Sequence, residues 1–236
     1  MNFLITAFNE IIFRPILNLL VFVIDVIPGS DLGLAIILVT VAVRILLYPL
    51  SHKALVSQKK ISQLQPKLKE IQKKYKDDRQ KQSEAVMAFY KENNMNPFAG
   101  CLPFLIQLPI IIGMYRVFLT ELSLETDGLY SFVSAPLYIH TNFLGLINLL
   151  EPSVILALLA AFAQFMVSRI TFAKRQKLGP SVSGLQGMMG KQMRYVLPLV
   201  TFFIAQNFPA GLVLYWFITT VFSFGQQILI NKAIKE

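Results

Sequence analysis

Apolar runs of membrane-span length recur along this chain, at about residues 32–50, 101–119, 153–172, 195–208 and 212–230, and they restrict the fold more than any other feature. A hydrocarbon core about 30 Å thick takes ~20 apolar residues of helix to cross. The fourth run is short, and Asn207, Phe208, Pro209, Ala210 and Gly211 after it read as a tight turn into the fifth. With 55% hydrophobic and 15% charged residues among 236, the chain has more apolar surface than one soluble core would bury. The expected class is an all-α integral membrane protein with five transmembrane helices.

The net charge of +9 is uneven. Of 22 Lys and Arg, 11 fall in residues 53–91 and six in 169–194, while 15–43 and 121–151 have none. Glu121, Glu125, Asp127 and Glu151 lie in a connection free of basic residues. Alternating basic connections follow the positive-inside rule, which places the N-terminus outside and the C-terminus in the cytoplasm of a multi-pass protein. Basic charge distributed in this way argues for a membrane surface and against DNA. Cys101 stands alone beside an apolar run, so it reads as a packing residue.

Residues 54–95 form the one long polar stretch. Ile61, Leu64, Leu68, Ile71 and Tyr75 repeat at helical spacing, and Val86, Met87 and Tyr90 supply a second apolar seam. Two short antiparallel helices are expected on the cytoplasmic side, with Pro66 kinking or restarting the first. Lys59, Lys60, Lys67, Lys73, Lys74 and Arg79 give this hairpin a basic surface suited to anionic lipids or a ribosome. Residues 174–194, rich in Gly, Ser and basic residues, read as a flexible cytoplasmic loop. Residues 3–27 are long and apolar, yet Glu10, Arg14, Asn18 and Asp25 recur on a polar stripe. The stripe favours an interfacial amphipathic helix over a further span or a cleaved leader. The chain therefore divides into an N-terminal segment, 1–30, and a core, 31–236, with the hairpin inside it.

Arg44 sits within the first run, where an isolated charge costs at least ~2.5 kcal/mol. Thr40, Tyr48 and Ser51 share its helical face. Gln107, Gln164 and Ser168 are polar residues of other runs, and Trp216, Thr220, Ser223 and Gln227 form a stripe on the fifth. Each Gln or Thr alone reads most simply as an interhelical hydrogen bond worth about 0.6 kcal/mol. Arg44 differs, because no Asp or Glu occurs in residues 32–69, 93–120 or 152–235. A buried arginine without a counter-ion points to a hydrated cavity and to a visitor that carries acidic groups.

Four stretches resemble the YidC/Oxa/Alb family of membrane insertases, in its bacterial type without a large periplasmic domain. They are LGLAIILVTVAVRILLYPLSHKA (32–54), ISQLQPKLKEIQKKYKDD (61–78), NPFAGCLPFLIQLPIIIGMY (96–115) and FPAGLVLYW (208–216). The resemblance implies a five-span core around a hydrophilic groove open to cytoplasm and lipid and closed outside, with Arg44, Gln107 and Trp216 facing the groove. It further implies insertion of nascent membrane proteins with short translocated tails into the bacterial cytoplasmic membrane. Ribosome and Sec translocon are implied partners, and neither an enzymatic step nor a cofactor is implied. Thr40, Tyr48 and Thr220 join the groove through their shared faces.

A channel or transporter would also use a hydrated cavity. Proton coupling, however, normally uses intramembrane carboxylates, which these runs lack. An intramembrane enzyme has little to build on, since His52 and His140 fall near opposite membrane faces and no nucleophile motif or metal spacing is present.

Overall fold

The computed structural model describes residues 2–93, 96, 102–119, 128–173 and 185–233. Helix α1 (Asn2–Phe8), a π-helical turn (Asn9–Phe13) and α2 (Arg14–Val26) run on without a break. Pro15 supplies the reason for the widened turn. Its missing N–H and its ring are incompatible with the carbonyl four residues back, and the Arg14 N–H bonds instead to the Asn9 carbonyl, five back. One face of α2 is buried through Ile16, Leu20, Val21 and Ile24, while Phe22 and Val26 stay exposed. The expected polar stripe is split. Glu10 and Arg14 pair at 2.8 Å, but Asn18 turns inward and is buried. Phe3–Val26 is also long and apolar enough to cross a membrane, as the alternative reading has it.

Asp31 caps α3 (Leu32–Leu46) by accepting from the Leu34 N–H at 2.8 Å. The chain then bends by 65° into α4 (Tyr48–Lys74), with Pro49 in its first turn. Helix α3 thus ends at Leu46, four residues before the end of the apolar run, because Pro49 is favoured at a helix start and unfavourable in an interior. Pro66 does not restart the helix: α4 passes through it as one 27-residue element. The carbonyl freed by Pro66 belongs to half-exposed Ser62, so its lost bond stays accessible to solvent. Helix α5 (Arg79–Glu92) packs back on α4, with Gln82 donating to the Gln72 carbonyl at 2.7 Å. No α5 residue is buried, so the apolar seam between them is thin.

Asp78 caps α5, accepting from the Lys81 N–H at 3.0 Å and pairing with the Lys81 ammonium at 3.2 Å. These contacts, the backbone bond first, hold its carboxyl below the ordinary aspartate value. A lowered folded-state pKa contributes stability above the unfolded value and loses it as pH falls through the folded one. Protection of the amides at residues 79–82, relative to their intrinsic exchange rates, is therefore expected to fall on acidification below the usual aspartate range. In Asp78→Ala that protection is expected to be low at every pH, and wild-type protection that does not change with pH would refute the cap.

Helix α6 (Leu102–Leu119), α7 (Val154–Ala173), α8 (Leu185–Ala205) and α9 (Ala210–Ala233) complete the bundle. Residues 185–194, expected in a loop, open α8 instead. Leu, Met, Gln and Lys there are good helix formers, and they outweigh the scattered glycines. The rest of that loop, 174–184, lies outside the described residues, as does Cys101. Helix α9 is the central element, packed on α3, α4, α6 and α7, and Leu20, Ile36, Met114 and Val213 meet in the core. Among the described residues three helices are long and apolar enough to cross a membrane, Phe3–Val26, Val154–Thr171 and Ala210–Ala233, with the bent α3–α4 pair as a fourth. Leu105–Leu119 and Arg194–Ala205 are shorter apolar helices.

Residues 128–151 form a strap across one end of the bundle, the only part of the described chain with strands. Strand β1 (Asn142–Phe143) pairs antiparallel with β2 (Ile147–Asn148). His140 exchanges backbone bonds with Ser30 and Leu32, each 3.0 Å. The Ala210 and Gly211 N–H groups donate to Glu151 and Leu149 at 2.8 Å. The strap thereby satisfies amides at the starts of α3 and α9 that have no partner within their helices. Asn18 holds its near end, donating to Gly128 O at 3.0 Å and accepting from the Tyr130 N–H at 2.6 Å. Asn18→Ala leaves those two backbone groups unpaired, and about 1–2 kcal/mol of stability is expected to go with them. Thermal unfolding in detergent, read beside protease cleavage near residue 130, checks this.

Candidate functional site

Three helices converge on one chain of side chains. Arg44, half-buried in the last turn of α3, donates from Nη2 to Gln107 Oε1 on α6 at 2.8 Å. The Gln107 Nε2 donates in turn to the Tyr215 hydroxyl on α9 at 2.5 Å. The amide thus accepts from the cation and donates to the phenol, which fixes its orientation. Among the described residues the ion pairs are Glu10–Arg14 and Asp78–Lys81, so Arg44 is met by neutral dipoles rather than a carboxylate. A guanidinium solvated by one amide keeps most of its charge available to another acceptor.

Beside this chain lies a cavity of about 200 Å³ lined by Ile111, Ile112, Tyr115, Phe208, Leu212, Tyr215 and Trp216. Trp216 stands on this apolar wall, while its neighbour Tyr215 carries the polar contact. The other residues expected at the groove bond within their own helices or lie beyond the bend. The Thr40 hydroxyl is buried and donates to Ile36 O in its own helix. Thr220 likewise donates to Trp216 O at 2.8 Å. Tyr48 lies beyond the 65° bend and stacks on His52 at 5.7 Å, because the break at Leu47 ends the face it was to share.

A second polar layer ties α4 to the bundle. Ser51 and buried Gln226 bond to each other, at 2.9 Å from the Gln226 Nε2. Thr171 donates to Gln227 at 3.0 Å. Lys59 bonds the Ile230 and Asn231 carbonyls at 3.0 and 3.4 Å, where a cation also suits the negative end of α9. Lys59 is therefore turned toward α9, whereas Lys60, Lys67, Lys73, Lys74 and Arg79 are exposed. Tyr215 and Gln226 escaped the sequence reading. The signal was present: Tyr215, Thr219 and Gln226 repeat at i, i+4 and i+11, one residue out of step with the chosen stripe, and all three are buried.

The family described as 60Kd inner membrane protein matches residues 23–236. Curated relatives named membrane protein insertase YidC include those of Wolinella succinogenes, 38% identical over 86% of this chain and 34% of the relative. That of Pelobacter propionicus is 34% identical over 88% of the chain and 36% of the relative. That of Helicobacter pylori is 36% identical over 86% and 34%. An all-helical membrane fold and matches of this extent place the chain in one class, and it belongs to the 60Kd inner membrane protein family, the YidC/Oxa/Alb family of the sequence resemblance. The chain spans about a third of the length of the curated relatives it matches.

Proposed function

We propose that the chain is an insertase of the bacterial cytoplasmic membrane, one that receives newly made membrane proteins and passes short translocated tails across a groove holding Arg44. The observation that carries this reading is the Arg44–Gln107–Tyr215 chain, a cation within an apolar bundle whose described neighbours supply no counter-charge. An acidic or polar tail is drawn to Arg44, because charge attraction is several-fold stronger near a low-dielectric wall than in bulk water. Gln107 and Tyr215 replace part of the hydration its backbone gives up. The apolar segment of the substrate then moves into lipid, gaining ~25 cal/mol per Å² taken from water. No covalent step or cofactor is involved.

In this reading α3, α6, α7, α8 and α9 are the five spans, water reaches the groove from the cytoplasm, and the strap closes the outer side. The basic α4–α5 pair stands in the cytoplasm, where it faces anionic lipid and, on a nascent chain, the ribosome. The Sec translocon is a further partner.

The test uses the purified chain in liposomes with a single-span substrate carrying an acidic tail, scored by protection of the tail from added protease. Protection above that of protein-free vesicles supports insertion. Solute flux with no protected tail would favour a channel or transporter instead.

A further inference from the structure

The strap carries an apolar patch that the groove does not use. Around β1 and β2, Leu137 is 100% exposed, Leu146 84%, Leu144 67% and Tyr138 59%. Leu144 and Leu146 project from the tip of the hairpin, which is closed by bonds from Gly145 N to Asn142 O and from Leu146 N to Phe143 O. At Leu144 the backbone has φ +52°, a conformation that glycine or asparagine would adopt at less cost. A large apolar side chain is thus held at a strained position with two-thirds of its surface exposed.

Residues 128–150 contain no Asp, Glu, Lys or Arg, although acidic residues flank them on both sides. A connection bathed wholly in water gains solubility from charge, and one resting in the headgroup layer avoids the cost of desolvating it. From Asn148 the chain leads within a few residues into α7, whose first turns expose Val154 and Ile155. The exposed apolar side chains of the strap are thus followed closely along the chain by those that open α7.

We propose that the hairpin tip and Leu137 are a membrane anchor, seated in the interfacial layer of the leaflet on the strap's side of the bilayer. The anchor holds by apolar burial and an aromatic ring at headgroup depth, so it is indifferent to lipid charge. It fixes the strap against the bilayer and keeps it over the starts of α3 and α9. The proposal requires only that the bundle spans a membrane and is independent of the insertase reading.

The experiment places an environment-sensitive nitrobenzoxadiazole label at Leu146→Cys, or at Leu137→Cys, in a Cys101→Ser chain. The protein is reconstituted in phosphatidylcholine vesicles with or without phosphatidylglycerol. A label at Ser83→Cys on α5, read in vesicles of phosphatidylcholine alone, serves as the aqueous reference. The expected result is blue-shifted emission at both strap positions. Quenching by lipids spin-labelled near the top of the acyl chain should be at least threefold stronger than quenching by aqueous iodide, and equal in both lipid mixtures. Leu137 lies outside the hydrogen-bonded turn, so its label reads the same surface even if substitution at the tip disturbs folding. Emission at the reference wavelength with full iodide quenching would overturn the anchor. Blue-shifted emission that ignores the lipid-borne quencher and grows with protein-to-lipid ratio would overturn it too, by showing that a second copy covers the patch.

Discussion

Arg44→Ala is expected to lower insertion of a substrate with an acidic tail by about ten- to a hundredfold, while Arg44→Lys keeps most of the activity. The size follows from the hydrogen bond of a charged group, worth about 1.5–3 kcal/mol where water is partly excluded, with 1.4 kcal/mol corresponding to tenfold. Lys retains the charge but not the planar donor fork, so it recovers attraction better than orientation. Two contrasts separate a direct role from a structural one. With a neutral tail the Ala variant should lose little, because the missing term is charge attraction. Gln107→Ala should cost less than Arg44→Ala, since the cation remains, and adding it to Arg44→Ala should cost almost nothing more, because the two residues act through one contact. Equal loss with acidic and neutral tails, together with a lower unfolding temperature, would make Arg44 a packing element and leave the groove mechanism without its central charge.

How far the sequence disclosed this site depends on the scale at which its signals operate. The pairing of Arg44 with a glutamine of another helix was legible in outline, since an arginine among apolar residues with no acid nearby must find some dipole. The helices from Leu102, Val154 and Ala210 begin within two residues of the expected runs, because hydrophobic length is set by the bilayer and shows in composition. Rotation about a helix is finer. One residue is a turn of about 100°, so the stripe of Trp216, Thr220 and Gln227 adjoins that of Tyr215, Thr219 and Gln226, and the buried face takes in Thr220 as well as the second stripe. Both stripes contain polar residues at helical spacing, and only packing against α3, α4 and α6 decides how much of each turns inward. The bend at Leu47 was obscured for a different reason. Pro49 signals a helix start as readily as a kink, and the apolar run continues across it without a change in composition. Lys59 shows the same limit, because a lysine that bonds helix-end carbonyls and one that meets solvent look alike until the end of α9 is placed beside it.

The second large effect is expected where the strap meets the bundle. Gly33 lies in the first turn of α3, and a Cβ built there would stand 2.1 Å from a ring carbon of Phe143, with two further ring atoms inside 3 Å. Glycine to alanine in a helix ordinarily gains about 1 kcal/mol. Overpacking a rigid aromatic contact costs about 1–3 kcal/mol, and here the ring cannot swing away freely, because the strap is bonded to α3 at His140 and to α9 at Leu149 and Glu151. Overpacking should therefore win, leaving Gly33→Ala less stable by up to about 2 kcal/mol in thermal or denaturant unfolding in detergent. In a Phe143→Ala background the sign should reverse, since the clash is gone and only the helix preference remains. If Gly33→Ala destabilises equally in both backgrounds, the close approach of ring and helix is not what requires glycine. The same clash bears on function through the strap, which joins α3 to α9, the two helices that also carry Arg44 and Tyr215. A side chain that lifts Phe143 from Gly33 should loosen the closed end of the bundle, and vesicles containing Gly33→Ala should then leak a small trapped dye faster than those containing the double variant Gly33→Ala/Phe143→Leu, where a smaller side chain can reseat the strap.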